Sequence, residues 1–324
     1  MGDESGNADF LMFADVDYSH PEVISDVINW GEWVVKNLKL KGFRFDACQH
    51  FSERFTNEFV AHLEKCFGEN KLFLVGEFWT GNVQEMLEYL DEMHHKFSLY
   101  DSPLLNNFSQ ISTTEGGDLR KVFDNTLVQE RPESAVTVVM NHDTQPGQTV
   151  ATPIEGFFKP LAYALILLRA QGYPSIFYGD LYGIKGEKTS EPPSCGDKLA
   201  HLILARKLFA YGDQDDYFDE GDDDAAKTCL GWVRRGTDDR KTGCAVVLSN
   251  AAPGQKRMFV GEEHKGEVWT DVLGWQTDEV TIGDDGFATF MCAGTSVSVW
   301  VNRDADERKQ IDDLVFDSDI YAKA

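Results

Sequence analysis

The chain has 324 residues, 42% of them hydrophobic and 12% aromatic, enough to bury a large core and to divide between two domains. Its 55 acidic against 30 basic side chains leave a net charge of −25. That balance excludes the basic footprint needed by nucleic acids and anionic membranes and suits a soluble protein with a neutral substrate. No apolar run approaches the ~20 residues of a membrane helix, and the acidic opening "MGDESGNADF" does not read as a secretory signal. Cys48, Cys66, Cys195, Cys229, Cys244 and Cys292 are scattered without metal-type spacing, the pattern of buried thiols in a reducing compartment. The cytoplasm is the expected location.

In chain order, "PEVISDVINWGEWVVKNLKL" (21–40) has helical periodicity, "GFRFDACQH" (42–50) reads as a strand, and "ERFTNEFVAHLEKCFG" (53–68) is helical again. "LFLVGEFW" (72–79) is a strand and "VQEMLEYLDEM" (83–93) a helix. "KFSLYDSP" (96–103) reads as a strand closed by Pro103, and "SAVTVVMNHD" (134–143) as a valine-rich strand. "PLAYALILLRAQG" (160–172) is a buried helix with Pro160 in its first turn and Gly172 at its end. "YPSIFYGD" (173–180) is the next strand, and "KLAHLILARKLFAYG" (198–212) the last clear helix. Apolar strands alternating with helices predict a parallel α/β sheet.

Past Tyr211 the signal changes to short strands and turns in 228–236, 243–254, 266–274 and 288–302, a small antiparallel β domain. The acidic run 213–224 predicts a solvated loop, with Asp216 as a candidate metal ligand between domains. It is no EF-hand, because Tyr217 and Phe218 stand where an oxygen ligand and a glycine are needed. Residues 303–324 predict a loose acidic tail.

Three acids fall at the ends of apolar strands. Asp46 and Glu77 are 31 residues apart and Asp143 follows 66 residues later. A (β/α)₈ barrel uses roughly 31 residues per unit and carries its chemistry at the C-terminal strand ends. Strand alternation puts Arg44 beside Asp46 and turns Phe43 and Phe45 to the other face. The Arg44 charge would hold Asp46 ionised, while the apolar setting of Glu77, between Gly76 and Phe78 and ahead of Trp79, would keep it protonated. One charged and one protonated carboxyl is the requirement of retaining glycoside hydrolysis. The structural alternative for each is a helix cap or an ion pair; for Asp143 it is a cap within the turn-rich "NHDTQPGQ".

"GFRFDACQH", "FLVGEFW" and "VVMNHDTQPGQ", in that order and spacing, resemble three regions of the α-amylase family of glycoside hydrolases, most closely its liquefying, intracellular-type members. "FADVDYSHPEV", "FFKPLAYALILLRAQGYPSIFYGDLYG", "AYGDQDDYFD" and "GTSVSVWV" extend the likeness over roughly residues 6–303. The resemblance implies Asp46 as nucleophile, Glu77 as general acid/base and Asp143 as the third acid, which holds substrate hydroxyls. It implies that Arg44 orients the nucleophile, that His142 stabilises the transition state, and that His50 lies near the acceptor side. Trp79 either stacks on a sugar or fills the core. Asp9, Asp15 and the backbone carbonyl of His50 match ligands of a Ca²⁺ ion, and Asp17 part of an adjoining metal cluster in which relatives often have an acid in place of Ser19. Gln49 stands where the family usually has a lysine on the acceptor side, and Met140 replaces a common acid.

The implied architecture is an incomplete (β/α)₈ TIM barrel, strands four to eight, followed by a C-terminal antiparallel β-sandwich. The boundaries are 1–20 for a remnant of the loop domain and its calcium segment, 21–212 for the barrel, 213–303 for the sandwich and 304–324 for the tail. A region carrying strands one to three is expected to be missing before Met1, through truncation, a partial gene, or a complementing segment supplied in trans. An open remnant exposes sheet edges, so this polypeptide alone is expected to be poorly stable and weakly active. The expected activity is retaining endo-hydrolysis of α-1,4 bonds in starch- or glycogen-type glucans. The alternatives are an inactive glucan- or partner-binding remnant and a glucan transglycosylase.

Overall fold

A computed structural model describes residues 16–94, 96–186, 189–221 and 223–320. It divides into two compact units, one of residues 1–103 and 125–136, the other of residues 104–124 and 137–324.

The first unit alternates helix and strand. Helix α1 (Pro21–Leu38) has Pro21 in its first turn, where a missing N–H costs nothing, and stops at Lys39 in the left-handed region. It buries Gly31, Val34 and Val35 and leaves Trp30, Trp33 and Leu38 exposed. Strand β1 (Gly42–Phe45) leads to α2 (Glu53–Phe67), whose first turn is capped by the Ser52 side chain accepting from the Phe55 N–H. Then follow β2 (Phe73–Gly76), α3 (Val83–Glu92) capped by Asn82, and β3 (Ser98–Tyr100). Helix α4 (Ser102–Thr113) starts here, and α5 (Leu127–Glu130) and β4 (Ala135–Val138) complete the elements.

The strands are parallel and in level register: Phe45 pairs with Gly76, Gly76 with Leu99 and Tyr100 with Val136. Phe43 and Phe45 turn to α2 and meet the edge of Phe59, as alternation requires. The close approach of strands around Gly76 excludes any side chain there: a Cβ would sit 2.7 Å from Cys48 Sγ and 2.9 Å from Leu99. Pro103 does not close β3. The strand ends at Tyr100, and Pro103 is the second residue of α4. Between them the fully buried Asp101 accepts from the N–H groups of Leu127 and Val128, capping α5.

The second unit holds the rest of α4 and β4, then α6 (Lys159–Leu168), every residue of which is buried. Strand β5 (Tyr173–Ser175) is shorter than the expected 173–180 because the chain turns into α7 (Tyr178–Tyr182). A short hairpin of β6 (Ile184–Lys185) and β7 (Ser190–Glu191) precedes α8 (Leu199–Phe209). Next come β8 (Gln214–Tyr217), α9 (Asp224–Thr228), β9 (Cys229–Arg234), β10 (Cys244–Ser249) and β11 (Gly254–Phe259). The unit ends with β12 (Val268–Asp271), β13 (Val280–Thr281), β14 (Phe287–Cys292), β15 (Ser296–Asn302) and α10 (Arg308–Asp312). An antiparallel sheet ordered β13-β12-β15-β10-β9-β8 packs with the β11-β14 pair around Trp269, Phe290, Trp300, Val247 and Met258.

Two expectations are corrected here. The acidic run begins as the edge strand β8, paired with β9, and both oxygens of Asp216 are taken by the Arg169 guanidinium at 2.7 and 2.8 Å. Charges on an edge strand discourage further pairing, which is why the strand looks like a loop in sequence. The first part of the tail is docked: α10 buries Ile311, and Arg308 donates to the carbonyls of Thr270 and Asp271.

A charged network sits in the core of this unit. Buried Asp180 accepts from Lys159 Nζ, Tyr163 Oη and Ser194 Oγ, each at 2.6 Å. A buried pair is tolerated when its remaining lone pairs are satisfied, and removing one partner strands the other. Asp180→Asn is therefore expected to lose about 3 kcal/mol of stability in urea unfolding. The double replacement Lys159→Met/Asp180→Leu should recover most of it.

Candidate active site

The level ends of β1 and β2 set the next residues side by side. The Glu77 N–H donates to Phe45 O at 2.8 Å and the Cys48 N–H to Glu77 O at 3.0 Å, so the ladder continues past the strands. Arg44 reaches across this junction. Its Nη1 donates to Asp46 Oδ1 and its Nη2 lies 2.8 Å from Glu77 Oε2. Because one planar guanidinium holds both, the carboxyls are forced together.

Their surroundings differ. The Asp46 side chain is 74% exposed, that of Glu77 13%. Burial pushes the Glu77 carboxyl above its ordinary range, and the Asp46 charge and hydrogen bond add to this. The Ala47 N–H, 3.1 Å from Glu77 Oε2, and Arg44 act in the opposite direction without prevailing. Ala47 delivers that N–H from a left-handed backbone with φ 47°, a conformation that costs roughly 1–2 kcal/mol for a residue with a Cβ.

The following turn is braced by Gln49, whose Oε1 accepts from the half-buried Trp79 N–H at 3.1 Å. The His50 N–H returns to Ala47 O at 2.9 Å. Sequence reasoning missed Ala47 because an alanine in a strained turn has no distinctive pattern.

In the second unit, "NHDT" forms a tight turn led by Asn141. Its Oδ1 accepts from the N–H groups of Asp143 and Thr144 at 2.9 and 2.8 Å, and its own N–H donates to Thr144 Oγ1 at 2.9 Å. Asn141 thus takes the capping duty considered for Asp143. The Asp143 carboxylate instead lies 3.2 Å from His142 Nε2, both side chains well exposed.

Of the expected calcium ligands, Asp9 and Asp15 lie outside the described residues. Asp17 Oδ1 accepts from the Ser19 hydroxyl at 2.6 Å and from the Ser19 N–H at 2.9 Å, which lowers its pKa. The set consists of oxygen donors with several carboxylates, the chemistry that suits Ca²⁺.

Comparison with known proteins places the chain in a family. A family model described as "Alpha amylase, catalytic domain" matches residues 7–242, and an "Alpha-amylase C-terminal" model matches residues 244–301. The chain is 43% identical over 302 residues to a glucan 1,4-alpha-maltohexaosidase of Bacillus sp. (strain 707), covering 93% of this chain and 56% of that protein. It is 40% identical over 309 residues to the cytoplasmic alpha-amylase of Escherichia coli (strain K12), covering 93% of this chain and 61% of that one. An Anoxybacillus alpha-amylase structure superposes with TM-score 0.66 over 90% of this chain and 65% of its own, at 18% identity. This chain therefore spans less than two thirds of the length of these relatives.

The raised Glu77 pKa makes a signed prediction. Its contribution to stability is complete below the ordinary value of 4.5 and is lost as pH rises through the raised value. Glu77→Gln keeps the group neutral at every pH. Its melting temperature relative to wild type should be higher at about pH 8 than at about pH 4. A pH-independent difference in thermal scans would contradict the assignment.

Proposed function

Because this chain belongs to the α-amylase family, whose catalytic-domain model covers residues 7–242, we propose that the protein containing it hydrolyses internal α-1,4-glucosidic bonds of starch- or glycogen-type glucans with retention of configuration. The single observation that carries this reading is the Arg44 guanidinium bridging a solvent-open Asp46 and a desolvated Glu77 at adjacent strand ends. Retaining hydrolysis needs two carboxyls close together, with opposite protonation at the start.

In the first half-reaction the Asp46 carboxylate attacks the anomeric carbon while Glu77 gives its proton to the departing glycosidic oxygen. A covalent glucosyl ester on Asp46 results. Glu77, now a carboxylate, receives stabilisation from two donors already in place, Arg44 Nη2 and the Ala47 N–H. It then takes a proton from water as the oxygen of that water attacks the same carbon and releases Asp46. Two inversions give net retention.

The family resemblance gives His142 and Asp143, ordered by the Asn141 turn, the role of binding sugar hydroxyls. Gln49, His50 and Trp79 border the acceptor side, with Trp79 offering a stacking face and Gln49 a brace for it. Asp9, Asp15 and the His50 carbonyl would hold Ca²⁺, with Asp17 beside them; the ion would supply charge neutralisation and a cross-link between these segments. Likeness to the E. coli cytoplasmic enzyme and six free thiols favour a cytoplasmic location. No helix among the described residues is long and apolar enough to cross a membrane.

Release of reducing ends from soluble starch is the direct test. Asp46→Asn and Glu77→Gln should each lower it by roughly 10³-fold or more, and NMR should show the α anomer as the first product. Glucan retention in affinity gels without reducing ends would identify a binding protein, and transfer to a labelled acceptor a transglycosylase. Separately, dialysis against a chelator should lower the melting temperature by several degrees, with Ca²⁺ restoring it. An unchanged transition would remove calcium from the proposal.

A further inference from the structure

On the opposite side of β1 and β2 from these acids, helices α1 and α2 bring three unlike donors together. His62 and Cys66 are one turn apart on α2 and so share a face, and Glu32 meets them from α1. Glu32 Oε2 lies 2.9 Å from His62 Nε2 and 3.5 Å from Cys66 Sγ, and Sγ lies 3.4 Å from Nε2. Lys36 takes the other Glu32 oxygen, which fixes the carboxylate with Oε2 toward its two neighbours.

Zinc bonds of about 2.3 Å to sulfur and 2.0–2.2 Å to nitrogen and oxygen, at tetrahedral angles, place ligand atoms about 3.3–3.6 Å apart. Two edges of the triangle already have that length, and only the Nε2–Oε2 edge must open by a few tenths of an ångström. No other His, Cys, Asp or Glu trio with such spacing occurs among the described residues. We propose that Glu32, His62 and Cys66 form a zinc site, with three protein ligands and a fourth position open to water.

The mixed sulfur, nitrogen and oxygen donor set discriminates against Ca²⁺ and Mg²⁺, which take oxygen ligands, and keeps this site apart from the proposed calcium set. Without metal the groups hold one another by hydrogen bonds: Cys66 Sγ donates to Glu32 Oε2, and desolvation together with that carboxylate raises the thiol pKa. A divalent cation reverses this by displacing the thiol proton, so occupancy rises with pH. Bound zinc cross-links α1 to α2 and shields Cys66, the one exposed thiol of the six.

The test uses the full chain, freed of metal, supplied with Zn²⁺ alone and analysed for bound metal after gel filtration. One zinc per chain and a raised melting temperature are expected. Co²⁺ in place of zinc should give a thiolate charge-transfer band and tetrahedral visible absorption. Cys66→Ser should abolish that band, and Cys66→Ser, His62→Asn and Glu32→Gln should each weaken zinc binding roughly tenfold or more, with circular dichroism confirming that each variant is folded. Absence of zinc from the wild-type chain, unchanged affinity in the variants, or a charge-transfer band surviving in Cys66→Ser would overturn the proposal. The cobalt spectrum of the unmutated chain tests the site even if a variant misfolds.

Discussion

The Arg44 guanidinium spans Asp46 and Glu77, and the level ends of β1 and β2 are what allow it to do so. The two acids meet because β1 and β2 end level, Phe45 opposite Gly76. That register depends on Gly76 having no side chain, since Cys48 and Leu99 occupy the space a Cβ would need. Phe43 and Phe45, on the reverse face, anchor β1 to α2 through Phe59, which prevents a one-residue slip. A slip would carry Arg44 to the helix side and separate the carboxyls. The packing of three phenylalanines and the chemistry of two acids are thus one constraint viewed from opposite faces of a strand.

Contrast between the two carboxyls comes from exposure more than from charge. Both touch the same arginine, so Coulombic attraction alone would treat them alike. Desolvation separates them: Glu77 sits below the turn of Ala47 and against the strand end, and Asp46 stands in solvent. The strained backbone at Ala47 contributes by aiming an N–H at Glu77 Oε2, where an anion is generated during the proposed reaction. Preorganised donors of this kind need no rearrangement when charge develops.

Elsewhere, buried charge is handled by saturation with donors. Asp180 receives an ammonium, a phenol and a hydroxyl, while Asp271 receives four backbone N–H groups and still has a raised pKa, because burial outweighs them. Asp101 caps α5 from within the core. None of these was legible beforehand, since an aspartate written after a short apolar run looks the same whether it ends in solvent, in a cap or in an ion pair. The same ambiguity hid β8, whose charges face solvent and Arg169 and Arg235 at a sheet edge.

Local information was sufficient for α1, α2, α3, α6 and α8 and for most strands, because apolar periods of 3.6 and 2 are properties of consecutive residues. It missed α4 and the short helices α5, α7, α9 and α10. It also sufficed for Asp46 and Glu77 directly following β1 and β2, and for Arg44 reaching Asp46. Asp143, expected to close a strand over 134–143, lies beyond the end of β4 at Val138, in the Asn141 turn. What tertiary structure alone decided was partnership across distance. Ala47 and Arg44 both converge on Glu77, Asn141 relieves Asp143 of capping, and Glu32, His62 and Cys66 assemble from two helices. These depend on register, burial and helix packing, which are set by contacts between segments tens of residues apart, and no window of sequence contains them.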